Sequence, residues 1–522
     1  MKELVYPRLL LPAAELMADR ESMVYGDYRA TLGEHTDRVL RLCTALKNDL
    51  GVQPSDRFAV LALNSSAYVE LWHAAFMGAG VLNPLNLRLA PRELAYILAD
   101  SGTEVIFTDF MFAGLVKAAI DIADEPLNIR HVVMIGDGEY EGAISYDDMV
   151  SSAAPEVPAE PEEDDPVVLM YTGGTTGLPK GVLHDQRAHI LNTYHAGFYI
   201  DFHKRMTWLH QTPMFHAAST SAILSIPATG GLNVVMPLFD PAGAIELIDR
   251  EKVTATVMVP TMVGMVLADP SYDPAKLASL ELLAYGASPM PAPTLERLMA
   301  DFPDLSFINA YGMTEAASTA SFLLPEDHVP GSPRLRSAGR AVYGTSFSIR
   351  DANGEQVPQG ETGEVWLRSG ALMREYWNKP EATAEVFEGG WYHTGDAGYL
   401  DEDGYLFLVD RVKDMIVTGG ENVYSVEVEN ALASHPDVAQ VAVIGIPSEQ
   451  WGEAVHAVVV PVEGAEPDED ALIAHTREYI AGYKVPKSIE FRAEPLPLSG
   501  AMKVLKRDLR APYWEGRDSG VN

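Results

Sequence analysis

Cysteine is all but missing from this chain: one residue, Cys43, among 522. No disulfide can form within it. In RVLRLCTALK the thiol falls on the apolar face of a helix, where a small core residue is expected rather than a nucleophile. Long apolar runs are missing too. The most apolar stretch, FAVLALNSSAYVELWHAAFMGAGVLNPL, is interrupted by Asn64, Ser65, Ser66, Glu70 and His73. It therefore reads as buried α/β core, and no transmembrane segment is expected. The N-terminal MKELVYPRLLLPAAELMADR has a short apolar centre cut by Glu15, unlike a signal peptide. With a single cysteine, this favours the cytoplasm. Basic residues are scarce: 38 Lys and Arg face 74 Asp and Glu, a net charge of −36. That balance argues against nucleic acid as a partner, since polyanion binding needs a basic footprint. Any phosphate ligand must find locally positive ground on an acidic body.

What is present is an ordinary globular composition, 47% apolar and 21% charged, long enough for about three or four domain-sized units. RFAVLAL, EVIFTD, HVVMIG, VVLMYT, LNVVMP, ATVMVP, LELLAYG and LSFINAYG read as buried strands. LGEHTDRVLRLCTALKNDL, PRELAYILADSG and PAGAIELIDREK read as amphipathic helices between them. The alternation predicts parallel sheets covered by helices. PEVPAEPEEDDP (155–166), acidic and proline-rich, is the clearest break and sets off an N-terminal block. From about Ala338 the strands FSIRDANG, GEVWLRSG and GYLFLVDR, joined by Gly, Asp and Asn turns, predict a small β unit. Beyond Arg411, strands such as VAQVAVIGIP and AVHAVVVPV alternate with helices, enough for a separate α+β domain. No repeat with a period of 20–50 residues is visible.

One stretch, VVLMYTGGTTGLPKGV (167–182), concentrates chemistry: a buried strand runs into Thr172, Gly173, Gly174, Thr175, Thr176 and Gly177, with Lys180 after them. It is not a Walker-type loop, because Pro179 precedes the lysine and VLH continues as strand. Small residues would still let backbone N–H groups approach oxyanions, with a lysine for charge. Alone, the loop is equally a phosphate cradle or a glycine-rich turn.

Five further stretches follow in order: TPMFHA (212–217), YGMTE (311–315), YHTGD (392–396), DRVKDMIVTGGEN (410–422) and PLSGAMKVLKR (497–507). As an ordered set covering nearly the whole chain, they resemble the adenylate-forming superfamily of acyl-CoA synthetases, peptide-synthetase adenylation domains and beetle luciferases. The resemblance implies an α/β fold with a large N-terminal domain (1–411) of two helix-flanked sheets plus a small β-barrel-like part. A mobile C-terminal α+β domain (412–522) would carry the catalytic lysine. It also implies ATP and Mg²⁺, with CoA as co-substrate. Thr172, Gly173, Gly174, Thr175, Thr176, Gly177 and Lys180 would then hold the β,γ-phosphates. Gly286, Ala287 and Ser288 in YGASP, with Tyr311 and Gly312, would form the adenine pocket. Thr314 would meet the α-phosphate or the substrate carboxylate, and Glu315 and Thr175 would hold Mg²⁺. Asp396 would accept the ribose hydroxyls, reinforced by Arg411. Lys413 would be the hinge between the two half-reactions, and Gly419 and Gly420 would line the pantetheine tunnel. One position departs from the family pattern: Ala501-Met502-Lys503 stands where Thr-Gly-Lys is usual. Lys503 is the lysine expected to bridge carboxylate and α-phosphate, with Lys506 as the competing reading. Met502 replaces a glycine, and Gly500 could supply the missing flexibility.

For the acyl site the resemblance points to Phe215 and His216, with Ala217, Ala218, Met262, Val263 and Met313 as apolar wall. There is no Asp where amino-acid-activating relatives hold an α-amine, and no phosphopantetheine attachment motif. An uncharged fatty or aryl-type carboxylic acid fits best. The leading expectation is an acyl-CoA synthetase. Two alternatives stay open: an acyl-AMP ligase serving a separate carrier protein, and a catalytically silent nucleotide-binding relative. A homo-oligomer is compatible with the sequence.

Overall fold

The apolar runs form strands because they are rich in branched residues and bounded by turn formers, and long-range pairing then sorts them into sheets. The computed structural model describes residues 2–515 except Glu139, 173–177, Pro289, Val412, Lys413, Gly419, Gly420, Glu449 and Ala501. For His203, Asp410, Arg411, Val417, Glu421 and Asn422 it describes the backbone alone. Among the described residues the strands make four sheets.

In the eight-stranded sheet, Val81–Pro84, Arg57–Leu61, Val105–Asp109 and His131–Ile135 run parallel, as does Pro166–Thr172 beside Val81–Pro84. Lys180–Asp185 then returns antiparallel to Pro166–Thr172. In the nine-stranded sheet, Thr207–His210, Leu232–Val235, Ala255–Met258, Leu282–Gly286 and Ser306–Tyr311 are parallel. Glu21–Tyr25 joins them, parallel to Leu232–Val235, and the rims are antiparallel: Tyr28–Thr31 at one side, Ser321–Leu323 and Arg340–Ala341 at the other. The expectation of parallel sheets thus holds at the centres and fails at the edges. The physical reason is connection length. A parallel crossover needs a dozen or more residues, and the residues between Thr172 and Lys180 are too few for one.

The acidic stretch is not a domain boundary. Strands on both sides of it share one sheet, and its carboxylates strap the N-terminus down. Arg8 Nε donates to Glu160 at 2.7 Å, and the backbone N–H groups of Glu3 and Leu4 donate to Glu163. The β unit is a sheet of Thr345–Arg350, Gly363–Ser369, Trp391–Leu400, Phe387–Glu388 and Leu406–Arg411. The C-terminal domain pairs Val438–Ser448 with Gly452–Pro461 in a long hairpin. Helices Ser425–Ala433, Glu469–Tyr479 and Lys506–Trp514 accompany that sheet. No helix among the described residues is long and apolar enough to cross a membrane.

The parallel strands of the nine-stranded sheet end at one edge, and in such sheets ligands bind beyond the carboxyl ends of the strands. The segments after the five central ones begin at Gln211, Met236, Val259, Ala287 and Gly312. Three of the five belong to a motif singled out above, and a fourth leads to Met262 and Val263.

Candidate functional site

Leu282–Gly286 and Ser306–Tyr311 lie side by side, with Gly286 opposite Ala310. That register sets Ala287 and Ser288 beside Tyr311 and Gly312. A β-carbon at Gly286 would collide with the Ala310 carbonyl, and one at Gly312 with the Ser318 carbonyl. Both glycines are there for close backbone approach. Residues shortly after each glycine are strained instead: Ala287 has φ 67°, Ala317 φ 53° and Ser318 φ 124°. Non-glycine residues in that region persist only where the surroundings hold them, and they gather at functional sites.

Thr314 and Glu315 open a short 3-10 turn directly after this strand. Asn192 holds the turn from the helix Gln186–Tyr199. Its Nδ2 donates to the carbonyls of Ala316 (3.3 Å) and Thr319 (2.9 Å), and Ser221 Oγ donates to its Oδ1 at 3.2 Å. Glu315 Oε1 accepts from Tyr376 Oη at 2.9 Å, and Lys180 Nζ stands 4.8 Å above the Tyr376 ring. Lys180 and Glu315 therefore engage one tyrosine, the lysine at its ring and the glutamate at its hydroxyl. The hairpin brings Thr172 opposite Lys180, so both described ends of the glycine-threonine loop are fixed. Gly173, Gly174, Thr175, Thr176 and Gly177 lie outside the described residues.

Tyr311 Oη donates to Asp396 Oδ2 at 2.6 Å. Asp396 is buried in the ten-residue strand Trp391–Leu400, not in a turn, and pairs in register with Arg411. The Arg411 side chain lies outside the described residues, as do Lys413, Gly419 and Gly420. Tyr311 and Asp396 come from different sheets and close one corner.

The C-terminal domain reaches this edge through its last loop. Lys503 lies near enough to His216 for its charge to act on the imidazole. Burial first, and that charge second, push His216 down to about 3. His216 Nδ1 accepts from the Ala218 N–H at 3.3 Å, so the neutral ring carries its proton on Nε2 as a donor. Lys506 is engaged within its own domain, paired with Glu429 at 2.7 Å and donating to Ser425. Of the two lysines, Lys503 is the one at the strand edge.

The expected acyl wall is spread over three apolar clusters. Phe215 and Ala217 belong to the largest, with Trp72 and Ile223. Met262 and Val263 sit in a second, against which Met502 packs, and Met313 joins Tyr311, Tyr376 and Tyr392 in a third. Ala218 is partly buried beside His216.

Among the described residues no group of three or more His, Cys, Asp or Glu could hold a metal ion. A single carboxylate, Glu315, still fits Mg²⁺. This ion keeps several waters and is usually held by one or two carboxylates plus substrate phosphates.

Sequence reasoning missed Tyr376 and Asn192. Tyr376 lies in Glu-Tyr-Trp-Asn-Lys-Pro, an aromatic pair before a turn, which gave the only local hint. Asn192 had none: one amide on a helix, bonded to backbone more than a hundred residues away.

The model of the AMP-binding enzyme family matches residues 12–377, and that of the AMP-binding enzyme C-terminal domain matches 427–503. A feruloyl-CoA synthase from an Amycolatopsis species is 39% identical over 490 residues, 94% of this chain and 95% of that protein. A fatty acid–[acyl-carrier-protein] ligase, ScoC of Streptomyces coeruleorubidus, is 36% identical over 92% of this chain and 91% of its own length. Among solved structures, a fatty acyl-CoA synthetase of Mycobacterium tuberculosis superposes with a TM-score of 0.76 at 32% identity, covering 99% of both chains.

Proposed function

The chain belongs to the AMP-binding enzyme family as an AMP-forming carboxylate–CoA ligase, and on that premise we propose how its residues divide the work and which acid it takes. The reaction has two steps. A carboxylate oxygen attacks the α-phosphorus of ATP and pyrophosphate leaves, giving acyl-AMP. The CoA thiol then attacks the acyl carbonyl, losing its proton; a C–S bond forms, the acyl C–O bond breaks, and AMP leaves with that bonding pair.

Two anions must meet in the first step, so cations and donors have to face the developing charge. Lys503 and the Nε2–H of His216 supply them at the acyl end, and Lys180 with the 172–177 loop at the phosphate end. Tyr311 and Asp396 hold the adenosine, Arg411 reinforcing. Glu315 and Thr175 hold Mg²⁺, which screens the phosphate charge when bound, while Thr314 faces the α-phosphate. Residues 1–411 form the adenylating domain and 412–522 the moving one, with Lys413 as hinge and Gly419 and Gly420 beside the pantetheine arm. The observation that carries the reading is the residue before Lys503, Met502, whose carbonyl accepts from Thr261 on the helix Pro260–Ala268, at the same strand edge as Glu315 and Tyr311.

The substrate is an uncharged fatty or aryl-type acid, supported by the apolar Phe215, Met262 and Val263 and by a feruloyl-CoA synthase among the relatives. The enzyme works in the cytoplasm without a nucleic-acid partner, as its single cysteine and acidic charge suggest. A second reading has one specific support, the carrier-protein ligase among the relatives. Mass spectrometry of products decides between them. With an acid panel and ATP, CoA should yield acyl-CoA and AMP. Acyl-AMP that accumulates with CoA present and discharges only onto a carrier protein would favour the second reading.

A further inference from the structure

Met502 has φ 60°, in the left-handed region that glycine occupies freely and a β-carbon disfavours. Gly500 does not relieve it. What Gly500 supplies is space, since a β-carbon there would collide with Asn86 Oδ1. A methionine kept in this conformation needs compensating contacts, and two are present. Thr261 Oγ1 donates to the Met502 carbonyl at 3.2 Å. The Met502 side chain packs on the apolar cluster that includes Met258, Val259, Met262 and Val263. The first contact falls on the helix Pro260–Ala268, which also supplies Met262, Val263, Val266 and Leu267 to that cluster. On the loop's other side Arg88 Nη1 donates to the Leu498 carbonyl.

The loop is itself tied into a turn. Met502 N–H donates to the Ser499 carbonyl (2.9 Å), Lys503 N–H to Ser499 Oγ (3.1 Å), and Ser499 N–H to the Lys503 carbonyl (2.7 Å). What fixes residue 502 therefore fixes the lysine that follows it.

We propose that Met502 is a docking anchor, a positioning residue whose side chain and carbonyl seat the C-terminal loop on the helix Pro260–Ala268 and so set Lys503 beside His216. The inference rests on the two-step ligase reading for its kinetic consequence, not for its geometry. Methionine suits the task because an unbranched, polarizable side chain fills an uneven apolar surface. Glycine would suit the backbone better but keep only the carbonyl half of the anchor. The anchor bears on the helix that carries Met262 and Val263, so docking and the acyl wall share one support.

The test uses the full chain with Met502→Ala, Met502→Gly and Met502→Leu. Dyes on Glu296→Cys and Glu494→Cys, both exposed positions, read the docked fraction, while Cys43 is buried away from label. Alanine loses the side-chain anchor and keeps the strain; glycine loses the side-chain anchor and sheds the strain; leucine keeps apolar bulk. The docked fraction should therefore rank methionine and leucine first, glycine next and alanine last. Acid-dependent ATP–pyrophosphate exchange should follow the same order, about tenfold down in Met502→Ala, the scale of about two methylenes withdrawn from contact. AMP release from supplied acyl-adenylate and CoA should be spared. Glycine docking as fully as wild type, alanine docking like wild type, or both half-reactions falling together would each overturn the anchor. If wild type shows no acid-dependent exchange, the ligase reading fails, and the dye distances still decide the anchor alone.

Discussion

At the residue scale, the hydrogen bond from Tyr311 to Asp396 (2.6 Å) joins a strand end of the nine-stranded sheet to the β unit. If Asp396 holds the ribose, Asp396→Ala should raise the KM for ATP about 10- to 100-fold, the worth of hydrogen bonds to a charged group. Tyr311→Phe removes only the donor that orients the carboxylate and should cost about 3- to 10-fold. Steady-state kinetics with ATP varied would check both, and an unchanged KM in Asp396→Ala would move the nucleotide elsewhere. His216 belongs to this scale as well. With its imidazole held down to about 3, it stays neutral across ordinary pH, so replacing it should leave the acid limb of the rate–pH profile where it was.

At the element scale, the turn after Ser306–Tyr311 depends on neighbours distant in sequence. Gly312→Ala would drive a β-carbon into the Ser318 carbonyl, a backbone atom that cannot swing aside. Overpacking of this kind costs about 1–3 kcal/mol, and a lower denaturant midpoint should report it. Asn192→Ala would strip the side-chain donor from two buried carbonyls, costing about 1–3 kcal/mol. It should lower pyrophosphate release as Thr314 and Glu315 lose their seat. This is also where legibility in the sequence divides. VVLMYT, LELLAYG and LSFINAYG announce themselves as strands because burial on both faces demands unbroken apolar runs. The motifs at their ends announce chemistry. The pairing partners do not: nothing local in Glu21–Tyr25 says that it joins Leu232–Val235. Nor does an acidic, proline-rich stretch reveal that the strands around it share a sheet. Asn192 is invisible for the same reason, and Tyr376 shows only its aromatic pair before a turn, since their roles lie in contacts across the fold. Met502 was legible as a departure, but its left-handed backbone and its seat on a distant helix were not.

At the scale of the whole molecule, an acidic chain buries many histidines. His73, His184 and His210 are pushed down to about 4 by burial, and His216 to about 3. Burial likewise lowers His35 and His189. Unfolded, each would bind a proton near about pH 6.5. Between about pH 6.5 and 4 the unfolded chain therefore binds more protons, and stability falls as pH falls, by up to about 1.4 kcal/mol per pH unit for each such histidine. Above pH 6.5 this contribution is fully present. Unfolding titrations from pH 7.5 to 4.5 should show the midpoint dropping steeply below about pH 6.5; a flat midpoint would mean that these rings are protonated in the folded state.

The two domains meet where the loop before Lys503 bonds to Thr261 and Arg88, and the account stands or falls on the lysine it presents. The direct measurement is acid-dependent exchange of labelled pyrophosphate into ATP by wild type, Lys503→Ala and Lys506→Ala. Exchange should fall about 10²- to 10³-fold in Lys503→Ala, as when a donor facing developing charge is removed. It should persist in Lys506→Ala, whose lysine is paired with Glu429. Exchange that survives Lys503→Ala and disappears in Lys506→Ala would contradict the account and hand the chemistry to the other lysine.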